Sequence, residues 1–203
     1  MAAPELRLEQ ARHVQDGALR LGPVTLRVGP GLWELRPDPA RSRFLRMIAG
    51  DLAPTGGRIL WNGLSMYRKE AALREVSFFR GNHEQPDFFT VEEAWKLAAT
   101  LRGKEHWEGE GLQAAFGLPL RSRLGGLSEL DRRKAELLAA LAGDPNLLVL
   151  EEVYGWIDPA SATALTACLE SWRRQRVLVV AGPLPFAADG ELAVPSWGEG
   201  RPR

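Results

Sequence analysis

Leu147 to Ser161 reads LLVLEEVYGWIDPAS, and the fold turns on this stretch. Four apolar residues run straight into two carboxylates, Glu151 and Glu152. A short irregular link follows, and Asp158-Pro159 opens a helix. A continuous apolar run of this length suits a strand buried on both faces, as in a parallel sheet. The carboxylates then stand at its carboxyl end, the edge where open α/β sheets bind ligands. Taken alone, the stretch is an ordinary buried strand with a charged exit. Its neighbours carry the reading further.

Working outward, LSELDRRKAELLAALAGDPN precedes the stretch and a second apolar strand, VLVVAG, follows it. Farther upstream, a strand, a turn and a helix lead into AGDLAPTGGRILWNG. Residues 5 to 35 alternate short apolar and polar segments. Turn signals fall at Asp16-Gly17, Gly22-Pro23 and Gly29-Pro30-Gly31, so the segment reads as antiparallel edge strands closing with a strand from Leu32 to Leu35. Further strands are expected at Ile59 to Asn62, Val76 to Phe79 and Val177 to Ala181. Thr90 with Glu93 is a capping-box signature, and Trp95, Leu97, Ala98 and Leu101 give the following helix its apolar side. Ser128 caps another helix, with Asp131 at its third position. Pro159 to Trp172 form the helix after the central stretch.

The totals bound what the chain does. It has 203 residues, enough for one α/β domain with a sizeable core. Lys+Arg and Asp+Glu are both 26, so no global basic field points to nucleic acid or an acidic membrane surface. One cysteine, Cys168, excludes an intrachain disulfide and fits a reducing compartment. Three histidines and that cysteine offer no metal-ligand spacing, so no metal site is expected. No signal peptide or membrane-spanning run is visible, so membrane association would go through a partner.

In this order and at these intervals, the chain resembles the ATP-binding subunit of an ABC transporter, from about Leu6 to Asp189. Its compact length is similar to that of haem-exporter ATPase subunits. The resemblance implies an ABC-type P-loop NTPase fold of the α/β class. It comprises a mostly parallel central sheet flanked by helices, an antiparallel N-terminal edge sheet and a small helical subdomain. Residues 1–203 would be one domain, with the helical subdomain at about 82–126 and a flexible tail at 196–203.

The resemblance also assigns positions. The family's phosphate loop, G-x-x-x-x-G-K-[ST], cradles phosphates with backbone N–H groups. The register set by FLRMIAGDLAPTGGRILWNG places Leu35 at the first glycine, Ala40 at the second, Arg41 at the lysine and Ser42 at the hydroxyl position. Pro37 and Pro39 each remove a donor, Asp38 adds negative charge, and Leu35 and Ala40 lack glycine's freedom. Val14, with His13 beside it, falls where an adenine-stacking aromatic is usual, and Gly81 falls where a glutamine is usual. Leu127-Ser128-Glu129-Leu130-Asp131 takes the place of the LSGGQ signature, with Glu129 and Leu130 replacing glycines. Glu151 replaces a metal-binding aspartate, Glu152 keeps the water-polarising glutamate, Asp158 keeps a loop aspartate, and Gly182 replaces a histidine.

The apolar framework is intact while the nucleotide-touching positions are altered. The expected function is therefore that of a pseudo-ATPase: a non-catalytic ABC-type subunit of a membrane transport complex, docking on a permease as a structural or regulatory partner. It would sit on the cytoplasmic face, peripheral to the membrane, beside a competent ABC ATPase or a second copy. Glu151, Glu152 and Asp158 would be vestigial catalytic groups; Arg41, Ser42 and Ser128 the remaining ATP contacts; Phe88, Phe89 and Trp95 the permease-facing residues. No resident cofactor is expected, and ATP with magnesium would bind weakly at most. Two alternatives stand beside this: a weakly active ATP-hydrolysing subunit, and a soluble interaction module with no permease.

Overall fold

The computed structural model describes residues 3–67, 69–81, 85–104 and 110–194. The expected tail at 196–203 lies outside the described residues, as do 82–84 and 105–109 of the expected helical subdomain. Nine strands and six helices follow in chain order among the described residues: β1 Leu6–Gln15, β2 Ala18–Val28, β3 Gly31–Leu35, α1 Arg41–Ile48, β4 Gly56–Trp61, β5 Leu64–Ser65, α2 Glu70–Leu73, β6 Val76–Phe79, α3 Val91–Leu101, α4 Glu110–Ala115, α5 Glu129–Leu141, β7 Leu147–Glu151, α6 Pro159–Trp172, β8 Val177–Ala181 and β9 Gly190–Leu192.

The central sheet is wholly parallel, with strand order β6-β7-β8-β3-β9. Residues Leu147 to Leu150 are fully buried, as a strand covered on both faces requires. Their side chains alternate between two cores. Leu147, Val149, Val177, Val179 and Ala181 face the layer with α1 and the antiparallel sheet, whereas Leu148, Leu150, Leu178 and Val180 face α3, α5 and α6. Burying each such aliphatic side chain contributes about 1.5–3 kcal/mol. The parallel register sets Glu151 opposite Ala181 at the shared carboxyl edge.

The second sheet is antiparallel, β2-β1-β4-β5. Its inner face supplies Leu6, Leu8, Leu21, Val24, Ile59 and Trp61 to the first core. Outside, Glu5 and Glu9 carry an ion-pair ladder to Arg7, Arg27 and Arg58. A bulge interrupts β1 between Glu9 and Arg12, where Gly57 approaches the Gln10 backbone.

Three local features set the elements around the site. The capping box at Thr90 is complete: Thr90 Oγ1 accepts the Glu93 N–H and Glu93 accepts the Thr90 N–H. Arg102 ends α3 and donates to the carbonyls of Ala98 and Ala142, the latter at the end of α5. Burial pushes its guanidinium down to about 10. Helix α1 stops at Ile48, and Gly50 just beyond its C-cap turns left-handed at φ 81°.

Candidate functional site

The site forms where β3, β7 and β8 end. Loop residues 36–40 leave β3 and enter α1, which has no side-chain N-cap. Pro37 and Pro39 carry no N–H. The Ala40 N–H donates to the carboxylate of Asp38 at 2.7 Å, and the Arg41 N–H to the Asp38 carbonyl at 3.0 Å. The Arg36 N–H bonds the Leu192 carbonyl at 3.0 Å, tying the loop to β9. Backbone donors at the head of α1 are thus turned inward on Asp38.

Arg41 and Glu152 form an ion pair. Glu152 lies just past β7 with φ 54°, a left-handed conformation uncommon outside glycine, and its N–H bonds the Ala181 carbonyl at 2.8 Å. Gly182 follows Ala181 directly. Glu151 is the more enclosed carboxylate, with 15% of its side chain exposed. The Ser42 hydroxyl approaches Glu151 Oε2 at 3.5 Å, and Arg80 Nε lies 3.9 Å from the same oxygen. Arg80 also lies 3.9 Å from Asp51 and sits over the Phe78 ring. The structure therefore brings together Arg41, Ser42, Glu151 and Glu152, four of the residues singled out by the sequence. Ser42 and Glu151 are the pair whose oxygens could hold a divalent cation. Among the described residues no cluster of three or more His, Cys, Asp or Glu could hold a metal ion.

Asp158 and Ser128 are placed differently. Asp158 caps α6, accepting the Ser161 N–H at 3.0 Å and the Ser161 hydroxyl at 2.8 Å. The Ser161 N–H, then its hydroxyl, then the Lys134 ammonium hold the Asp158 carboxyl down at about 2. Ser128 caps α5, accepting the Asp131 N–H at 3.1 Å and donating to the Asp131 carboxylate at 2.8 Å. Beside it, Glu129 pairs with Arg133, and Leu130 is partly exposed.

The expected permease-facing residues separate. Phe88 is 66% exposed and stacks edge-to-face on half-buried Phe89, ring centroids 4.9 Å apart. Trp95 does not reach that surface: it is 4% exposed and packs in the core shared by α3 and α5. This corrects its assignment to the partner face. Val14 is half-buried in β1 and its N–H bonds Thr55 Oγ1 at 2.9 Å, while His13 Nδ1 contacts the Ala53 carbonyl.

Sequence reasoning missed Arg80, Lys134 and Arg132. Arg132 pairs with Asp87 at 2.6 Å and donates to the Gln85 carbonyl, binding the segment before α3 to α5. A charge on the apolar side of a helix was the available signal for Lys134, which is 8% exposed.

No protein-family model matches the chain. The lipoprotein-releasing system ATP-binding protein LolD of Hyphomonas neptunium is 27% identical over 172 residues, covering 77% of this chain and 75% of that protein. The aliphatic sulfonates import ATP-binding protein SsuB of Cupriavidus necator is 31% identical over 177 residues, 83% of this chain but only 57% of that protein. The cytochrome c biogenesis ATP-binding export protein CcmA of Paramagnetospirillum magneticum is 28% identical over 169 residues, with 77% and 76% covered. A solved structure of the ATP-binding subunit of an ABC transporter superimposes with a TM-score of 0.83 at 20% identity, over 93% of this chain and 85% of that one. The chain is thus similar in sequence to ATP-binding subunits of ABC transporters and has the ABC ATPase fold, a P-loop fold that joins a parallel to an antiparallel sheet.

Proposed function

We propose that this chain is a non-catalytic, ABC-type subunit of a membrane transport complex. It docks on a permease at the cytoplasmic face, as a structural or regulatory partner beside a second copy or a competent ABC ATPase. The observation that carries this reading is the 2.7 Å bond from the Ala40 N–H to the Asp38 carboxylate. A loop that bound phosphate would present that donor to the ligand. Here it meets a carboxylate of the chain itself, flanked by two residues with no donor.

The residues do not fit a magnesium nucleotide in this arrangement. A charge-assisted hydrogen bond contributes about 1.5–3 kcal/mol. Two donors lost to proline therefore weaken phosphate binding by roughly two to four orders of magnitude. The cation at position 41 is paired with Glu152, the group a hydrolytic mechanism needs free to polarise water. Glu151 is matched by Arg80 and Ser42.

Docking is supported by exposed apolar residues, of which Leu73 and Leu101 line one cleft with Val76 of β6. Phe88 is the most exposed, with Leu73, Leu97 and Leu101 also facing outward. Among the described residues no helix is long and apolar enough to cross a membrane, so the membrane would be reached through a partner.

The test is calorimetry and thermal shift with magnesium and ATP up to millimolar concentration, together with co-purification from detergent-solubilised membranes. No heat, no shift and a co-purifying membrane protein are expected. Tight nucleotide binding would sink the reading. Recovery from the soluble fraction without any membrane protein would favour a free-standing interaction module. The 3.5 Å approach of Ser42 to Glu151 favours one second reading, a slow ATPase that keeps a metal-binding pair. Measurable hydrolysis abolished by Glu152→Gln would establish it.

A further inference from the structure

Three residues at the carboxyl edge of the parallel sheet interlock. Glu152 leaves β7 left-handed at φ 54°, a conformation a non-glycine residue keeps only where its surroundings impose it. Its N–H holds the Ala181 carbonyl at 2.8 Å, and its carboxylate turns back to Arg41 at the head of α1. Gly182 comes next after Ala181, at φ 111°. A Cβ at position 182 would stand 2.8 Å from Glu152 Oε2, 3.3 Å from its Cδ and 3.2 Å from its Cα. Position 182 therefore abuts Glu152 from backbone to carboxylate. A side chain there forces the carboxylate that holds Arg41 to shift.

The geometry points to a latch in which Arg41, Glu152 and Gly182 act as one ligand-independent unit, tying the loop and first turn of α1 to the ends of β7 and β8, with Gly182 as its positioning residue. The Ser42–Glu151–Arg80 contacts run alongside it and join the same helix to the ends of β7 and β6. Arg41 is 22% and Glu152 47% exposed at the side chain, so the pair alone adds little to global stability. Its effect is local: it sets how readily the loop and strand ends open while the rest of the fold stays closed. The inference goes beyond the transport reading and does not depend on it, because the latch is a property of the isolated chain without nucleotide or permease.

The test is hydrogen exchange by mass spectrometry on the full chain without nucleotide, comparing wild type with Arg41→Gln, Glu152→Gln, the double variant of these two, and Gly182→Ala alone and combined with Glu152→Gln. The readout amides are Arg41 and Phe44, bonded to the Asp38 and Ala40 carbonyls, and Glu152, bonded to Ala181. Each glutamine variant is expected to speed exchange about fivefold in both segments, 36–45 and 151–157. The double variant should exchange no faster than either single one, because one broken pair is the whole effect. Gly182→Ala should speed exchange around Arg41, and should add nothing there in a Glu152→Gln background. Unchanged exchange at 36–45 in the glutamine variants, full additivity in the double variant, or an effect of Gly182→Ala confined to 181–183 would each overturn the latch. If Gly182→Ala does not fold, the Arg41 and Glu152 cycle decides alone. Nucleotide binding by wild type, which would sink the transport-subunit reading, leaves this test intact.

Discussion

Lys134, inside α5, meets Asp158 at the head of α6, with Nζ 3.3 Å from Oδ2. The same ammonium lies 3.4 Å from Asp131 and donates to the Phe116 carbonyl at 2.7 Å. A buried ammonium needs an acceptor for each of its donors, and these three groups supply them. The contact joins the helix after the signature-like segment to the loop after β7, independently of the Arg41–Glu152 pair.

Lys134→Met should therefore cost more than a surface lysine would. The thioether fills the space but leaves the Phe116 carbonyl without its ammonium donor. A loss of about 1–3 kcal/mol is expected, read from the urea midpoint. An unchanged midpoint would show that the three contacts contribute nothing net.

Asp158 carries a pH dependence whose sign follows from its lowered carboxyl. The folded value of about 2 lies below the usual range for an aspartate, so its contribution is present above about pH 4 and is lost as pH falls toward 2. Asp158→Ala should cost about 1 kcal/mol at neutral pH through the lost cap. In urea titrations, the gap between wild type and Asp158→Asn should narrow steadily below pH 4. A gap that stays constant down to pH 2 would refute the assignment.

Gly57 and Gly117 provide a matched pair of backbone tests. Both have positive φ, 75° and 65°. A Cβ at Gly57 would lie 2.1 Å from the Gln10 carbonyl oxygen, whereas nothing lies within 4 Å at Gly117. Gly117→Ala should cost about 1 kcal/mol, the left-handed penalty alone. Gly57→Ala should cost at least about 2–3 kcal/mol, because the β1 bulge must also move. Equal losses in thermal unfolding would remove the bulge from the account.

Phe88→Ser separates docking from stability. With 66% of Phe88 exposed, its stability should change by less than about 0.5 kcal/mol, while recovery of a membrane partner falls. Full recovery of the partner would move the docking face elsewhere. Trp95→Ala cannot serve this purpose, because removing a core indole costs about 3–5 kcal/mol and disturbs the fold itself.

Three elements match their expected bounds: the strands Val76–Phe79 and Val177–Ala181 and the helix Pro159–Trp172. Val177–Ala181 is covered on two faces and buried at every residue, so its limits are written as an uninterrupted apolar run. The helix buries one side only, and Asp158-Pro159 marks its start. Strand β9 carries no such mark: three residues at a sheet edge need only backbone partners. For α3, periodicity showed an apolar side but could not rank its members. Packing against α5 buries Trp95 and leaves Leu97 and Leu101 outside.

What the sequence determined by itself is whatever depends on covalent structure or local period: the buried strands β6, β7 and β8, the caps at Thr90, Ser128 and Asp158, and a loop whose Pro37 and Pro39 have no N–H to offer. Such properties survive in any tertiary context. Only the tertiary structure decided that Arg41 meets Glu152, 111 residues away, and that the missing side chain at Gly182 leaves the room for that meeting. Pairing over such a distance is set by which strand ends the parallel sheet brings side by side, and no local pattern of residues encodes that adjacency.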